Sequence, residues 1–120
     1  MYNTTANQVE VYDGRQWTTF YRAFELKVEY KSEDFSITKN QRRTLFVVNE
    51  AAEVTLPSLS SVNDGFRVYV KRTGGLGLVS VLAATGDIIE GILSVDIGTQ
   101  GGSLEIVATA SEWVLLNGAL

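Results

Sequence analysis

Apolar residues in this chain recur at every second position, and that period constrains the fold more than any other feature. Phe24, Leu26, Val28 and Tyr30 alternate with Glu25, Lys27, Glu29 and Lys31, the pattern of a strand with one dry and one charged face. Wound into a helix, the same apolar residues would smear around the axis. Phe66, Val68 and Val70 alternate with Arg67, Tyr69 and Lys71, and Leu104, Ile106 and Ala108 repeat the pattern. Trp113-Val114-Leu115-Leu116 reads as a short buried strand. Phe66, Val68, Val70, Leu104, Ile106 and Trp113 are therefore the expected core.

Turn-forming residues divide these runs. Asp13-Gly14 separates Val9–Tyr12 from Arg15–Thr18 and predicts a hairpin. Asn63-Asp64-Gly65 opens the strand at Phe66, and Thr73-Gly74-Gly75-Leu76-Gly77 reads as the hairpin loop that joins it to Leu78–Leu82. Gly86-Asp87, Gly98, Gly101-Gly102 and Asn117-Gly118 punctuate the rest. Pro57 ends a short Val54-Thr55-Leu56 strand at an edge or corner, and either Ala51-Ala52 or Ser58–Val62 has room for a single helical turn. Turns spaced by roughly ten residues predict an all-β fold, an antiparallel β-sandwich or small barrel. No internal sequence repeat is visible.

With 120 residues the chain suits one domain. Residues 1–22 are polar and carry Tyr2, Tyr12, Trp17 and Phe20. One hairpin cannot bury such rings alone. The expected organisation is an N-terminal arm or hairpin over 1–22 and a single β-domain over 23–120.

Composition narrows the chemistry. The sequence has no cysteine and no histidine, so it offers no disulfide, no thiolate nucleophile, no imidazole base and no imidazole metal ligand. Gly74-Gly75-Leu76-Gly77 lacks phosphate-loop spacing and leads into a strand. Asp87 and Glu90 are the carboxylate pair to weigh for glycoside hydrolysis, but no motif sets their separation. Asp87 and Asp96 lack the loop pattern of a calcium site. The expectation is a protein that is not an enzyme, with no cofactor and no metal.

Net charge is −4, unevenly spread. After Arg72 there is no basic residue, while Asp87, Glu90, Asp96, Glu105 and Glu112 follow; that stretch repels phosphate, and no nucleic-acid partner is expected. No apolar run approaches the ~20 residues that span a bilayer as a helix, and the start lacks the marks of a secretion signal. The chain reads as soluble and made in a cytoplasm. Lys39, Arg42 and Arg43 form the basic cluster, read either as a solvated turn or as a contact with an acidic partner. Trp17 beside Arg15 could stack on a sugar or base, but rings in such an arm more often sit at a protein interface. The candidate interface residues are Tyr2, Tyr12, Trp17, Phe20, Arg42 and Arg43.

Tyr2-Asn3-Thr4-Thr5, Asn7, Val11-Tyr12-Asp13-Gly14 and Trp17 together resemble a segment common in tailed-bacteriophage fibre and other virion appendage proteins. Val54–Pro57, Gly65-Phe66, Gly86-Asp87 with Ile89 and Gly91, Gly102–Ile106 and Glu112-Trp113 are similar to phage appendage β-domains. The resemblance implies an antiparallel β-domain that forms a homotrimer, with a structural or attachment role on the particle surface and no catalytic residues. In fibres the Tyr-Asn-Thr-Thr segment follows an anchor and stalk. Here it begins at Met1, which moves the expectation to a stand-alone subunit: a capsid decoration (cement) protein contacting the major capsid protein or other virion proteins. The alternative is a receptor-binding fibre tip or baseplate knob that takes a host glycan.

Overall fold

The computed structural model describes the backbone of Tyr2–Asn3, Gln8–Tyr12 and Trp17–Thr19, and residues 25–75 and 77–120 with their side chains. Near the N-terminus, β1 (Tyr2–Asn3), β2 (Gln8–Tyr12) and β3 (Trp17–Thr19) form a sheet in that order. The β2–β3 pair is antiparallel, with Tyr12 opposite Trp17, as the predicted hairpin requires. Its Asp13-Gly14 turn, Phe20, and the side chains of Tyr2, Tyr12 and Trp17 lie outside the described residues.

The rest is a two-sheet, sandwich-like structure. One sheet has the order β12 (Trp113–Ala119), β11 (Ser103–Ala108), β8 (Arg67–Arg72), β6 (Thr44–Val48), β4 (Lys27–Lys31). The other has the order β10 (Ser94–Ile97), β9 (Val79–Leu82), β7 (Ala52–Thr55), β5 (Phe35–Ser36). Neither sheet closes into a barrel. Among the described residues the helical content is a single 3-10 turn at Leu59–Ser61, within the second of the two segments with room for one; at the first, Ala52 instead begins β7.

Strand direction differs from the antiparallel expectation. β4, β6 and β8 are mutually parallel, and so are β5, β7 and β9. The chain alternates between the sheets from β4 to β9, so it coils: β4–β5, β6–β7 and β8–β9 are three successive turns stacked in register. Stacking is closed by bonds between turns at their corners. The Asn49 amide donates to Lys31 O (3.1 Å), the Thr73 amide to Val48 O (2.9 Å), and the Ile37 amide to Thr55 O (2.8 Å). Within these two sheets the antiparallel pairings are those of β10, β11 and β12, on the far side of the coil. A period of two is shared by parallel and antiparallel strands, so alternation does not report direction.

The loop at Thr73–Gly77 is consequently a corner between sheets rather than a hairpin. Gly75 makes it possible: its φ is 82°, and a Cβ there would lie 2.7 Å from Glu50 Cα in the corner below. Arg72, buried at the end of β8, fastens the same corner by donating to the carbonyls of Gly75 (3.1 Å) and Ile97 (3.3 Å).

The expected core residues are all buried. Phe66 meets Trp113 edge to face, with centroids 6.0 Å apart. Residues 44–48, to which the alternation argument assigned no strand, form the middle of the coil, and Phe46 is fully buried against Phe35. Of the Trp113–Leu116 run only Trp113 is buried, because β12 is an edge strand and Leu116 faces outward.

β4 and the residues leading into it reverse their expected faces. Leu26, Val28 and Tyr30 are 40%, 47% and 79% exposed, whereas Glu29 and Lys31 are half-buried; Phe24 lies outside the described residues. The reason is parity. β4 takes its register from β6, with Glu29 beside the inward-facing Phe46, and one residue of register exchanges the faces of a strand. The inward polar groups are satisfied at the open end of the sandwich: Lys31 Nζ sits 3.5 Å from Glu29 Oε1 and 5.1 Å from the Phe35 ring centroid. Gln41 Nε2 donates to Glu29 Oε2 (2.8 Å).

Candidate functional site

Because β4, β6 and β8 are parallel, their N-terminal ends share one edge of the coil. Residues 37–43 turn from β5 into β6 there, and residues 56–66 turn from β7 into β8. Between these turns lies a cleft of about 840 Å³, the size range of small-molecule sites. Lys39, Arg42 and Arg43 line it, as expected of a cluster contiguous in sequence. The coil adds Lys27 and Arg67, so five of the ten basic residues meet at one place in a protein of net charge −4. Glu25 and Asp64 are the carboxylates in the lining. Sequence reasoning missed Lys27 and Arg67 because only the stacking of parallel strands brings residues 27, 43 and 67 level.

Arg43 is the pivot. Its φ of 53° is left-handed, and its backbone links both neighbouring turns: its amide donates to Arg67 O (2.7 Å) and its carbonyl accepts from the Lys27 amide (3.2 Å). Lys39 and Arg42 are exposed and their side chains have no ionic or hydrogen-bonding partner among the described residues. Arg67 is different, pairing outward with Glu105 (3.3 Å), whose other oxygen accepts from Asn117 Nδ2 (2.9 Å). Tyr69 and then Glu105 raise the pKa of the Arg67 guanidinium further. Ser61, Asn40 and Asn63 add neutral hydrogen-bonding groups to the cleft wall. Lys39 and Arg42, with Lys27, which is equally exposed and unpartnered among the described residues, are thus cations available to an anionic group arriving from solvent.

The remaining sequence candidates have structural employment. Asp87 Oδ2 accepts from the Leu59 amide (2.8 Å) and pins the 3-10 turn. Glu90, itself left-handed at φ 47°, accepts from the Leu115 amide (2.6 Å) and holds β12. Asp96 accepts from Ser80 Oγ (2.7 Å) across β9–β10. Among the described residues no group of three acidic side chains gathers in a metal-binding arrangement, and no helix is long and apolar enough to cross a membrane.

No protein-family model matches this chain, and no curated protein matches it.

Proposed function

We propose that this chain is a non-enzymatic structural protein of a tailed-phage particle, a trimeric decoration (cement) protein on the capsid exterior. The observation that carries this reading is the inversion of β4 and the residues leading into it. Leu26, Val28 and Tyr30 form an apolar strip in the open, beside a cleft rich in cations. An apolar strip with a charged border is the composition of a surface that another protein covers. The virion setting rests on the resemblance of residues 2–17. In this reading Tyr2, Tyr12, Trp17 and Phe20 of the arm anchor on the major capsid protein or on adjacent subunits, since rigid rings gain contact area for little lost side-chain freedom. Lys39, Arg42 and Arg43 steer the protein onto an acidic shell.

Deleting residues 1–22 and adding the remainder to undecorated particles is the test. Binding should be lost while the 23–120 domain stays folded; undiminished affinity would overturn the arm's role. Hundreds of copies per particle are expected for a decoration protein. The cleft itself favours a second reading, the receptor-binding knob, because its asparagines and serine beside free cations suit an acidic glycan. A few copies per particle, with loss of host adsorption in particles lacking the protein, would put that reading in place of the first.

A further inference from the structure

We infer that the open edge of β4 is a self-recognition strand: two copies of this chain join by antiparallel β4–β4 pairing centred on Val28. β4 is the last strand of its sheet. Its odd-numbered residues bond inward, the Lys27 amide to Arg43 O and the Lys31 carbonyl to the Asn49 amide. The backbone groups of Val28 and Tyr30 therefore point along the sheet to the open side, as a strand template does.

The side chains specify what fits there. When Glu25-Leu26-Lys27-Val28-Glu29-Tyr30-Lys31 is laid against itself antiparallel about Val28, Lys27 falls opposite Glu29 of the second copy and Glu25 opposite its Lys31. Each charge meets its opposite. On the other face Leu26 falls opposite Tyr30, and Val28 opposite Val28, so the exposed apolar strip covers itself. Val28 is also a residue whose own N–H and C=O face outward, which an exchanged hydrogen-bonded pair at the two-fold axis requires. Centring on Glu29 instead would oppose Glu29 with Glu29 and Lys27 with Lys31, and like charges directly opposite are unfavourable. A register between residues would set inward side chains against outward ones. Complementary charge and backbone parity both require an even-numbered residue at the axis, and among these Val28 is the one that sets Leu26 against Tyr30 and covers the whole apolar strip.

The contact is isologous and uses only this edge. It goes beyond the trimer proposed above by assigning a second copy of this chain to the same apolar strip, and it joins two chains, or two trimers, across a two-fold axis.

Sedimentation equilibrium of the full chain should show dimers, or hexamers if the trimer also forms. Lys27→Glu, at an exposed side chain, should weaken the two-fold association about tenfold, and Lys27→Glu/Glu29→Lys should restore it because the opposed pair is then complementary again. Since the sequence has no cysteine, single cysteines report the register. Paired residues at the axis have Cα atoms about 5.5 Å apart, within disulfide reach, whereas Glu29 and its copy are offset by about 7 Å along the strands. Val28→Cys should therefore oxidise to a covalent dimer about tenfold faster than Glu29→Cys. Faster cross-linking at Glu29→Cys, an unaltered association constant in Lys27→Glu, or no rescue by the charge swap would each overturn the inference. A wild-type chain that sediments as a monomer or a bare trimer would do the same; the bare trimer would leave the decoration reading standing.

Discussion

Gly75 and Gly86 have nearly the same left-handed backbone, with φ of 82° and 89°, but different surroundings. A Cβ on Gly86 meets nothing within 4 Å, while one on Gly75 meets Glu50 Cα at 2.7 Å and Asn49 O at 2.9 Å. Gly86→Ala should cost about 1 kcal/mol, the backbone penalty alone. Gly75→Ala adds a collision with main chain that cannot move without unstacking two turns, and should cost about 3 kcal/mol. Urea unfolding of both variants, compared by midpoint at unchanged slope, checks the difference. Trp113 is a second singular residue. It is fully buried, and its indole N–H finds no acceptor among the described residues. Trp113→Ala should cost about 3–5 kcal/mol through the cavity it leaves. Trp113→Phe removes an unsatisfied donor along with some volume and should cost clearly less in the same measurement.

At the level of elements, the contrast between β4 and β6 decides where stability resides. β6 is flanked by parallel strands on both sides, and Thr44, Phe46 and Val48 all face the interior. Phe46→Ala should cost about 3–5 kcal/mol. Tyr30 projects from the edge strand into solvent, and Tyr30→Thr, which keeps strand propensity, should change the stability of the isolated chain by no more than about 0.5 kcal/mol. Thermal unfolding at low protein concentration would show it. A large loss at Tyr30 with little at Phe46 would mean that β4 faces the way its alternation first implied.

Across the whole molecule, coiling concentrates cations at one edge. The corner that follows β5 carries Lys39, Arg42 and Arg43, and stacking sets Lys27 and Arg67 beside it. The corners that follow β4 and β6, at the opposite edge, carry Glu33, Asp34 and Glu50, all exposed. A cationic cluster of this kind orients a protein as it approaches a charged surface and makes the encounter depend on salt. In the decoration role proposed above, particle binding should weaken as salt rises from about 50 to about 200 mM. Lys39→Glu/Arg42→Glu should lower the association rate and flatten that dependence, because those two cations are available to a partner. Surface plasmon resonance on immobilised particles separates rate from residence time; an unchanged association rate in the double variant would remove the cleft from the encounter.

What could be read from the residues alone is what depends on neighbours in the chain. Alternation identified the strands at 66–71 and 104–108 and the core side chains Phe66, Val68, Val70, Leu104 and Ile106, because burial of one strand face imprints a period of two; the apolar run at 113–116 supplied Trp113. Turn chemistry located the breaks at Gly65, Gly86 and Gly101-Gly102 and the short turn after Pro57. The Lys39, Arg42 and Arg43 half of the cleft was legible because it is contiguous. The other half, Lys27 and Arg67, was not: it depends on which strands lie side by side and in which direction. The same applies to the outward apolar face of β4. Its alternation is genuine, but which face turns inward follows from pairing with β6, and that pairing is a long-range hydrogen-bonding choice to which a local pattern is blind. Gly75 reads as an ordinary turn glycine in sequence; only the Glu50 backbone stacked against it shows that no larger residue fits.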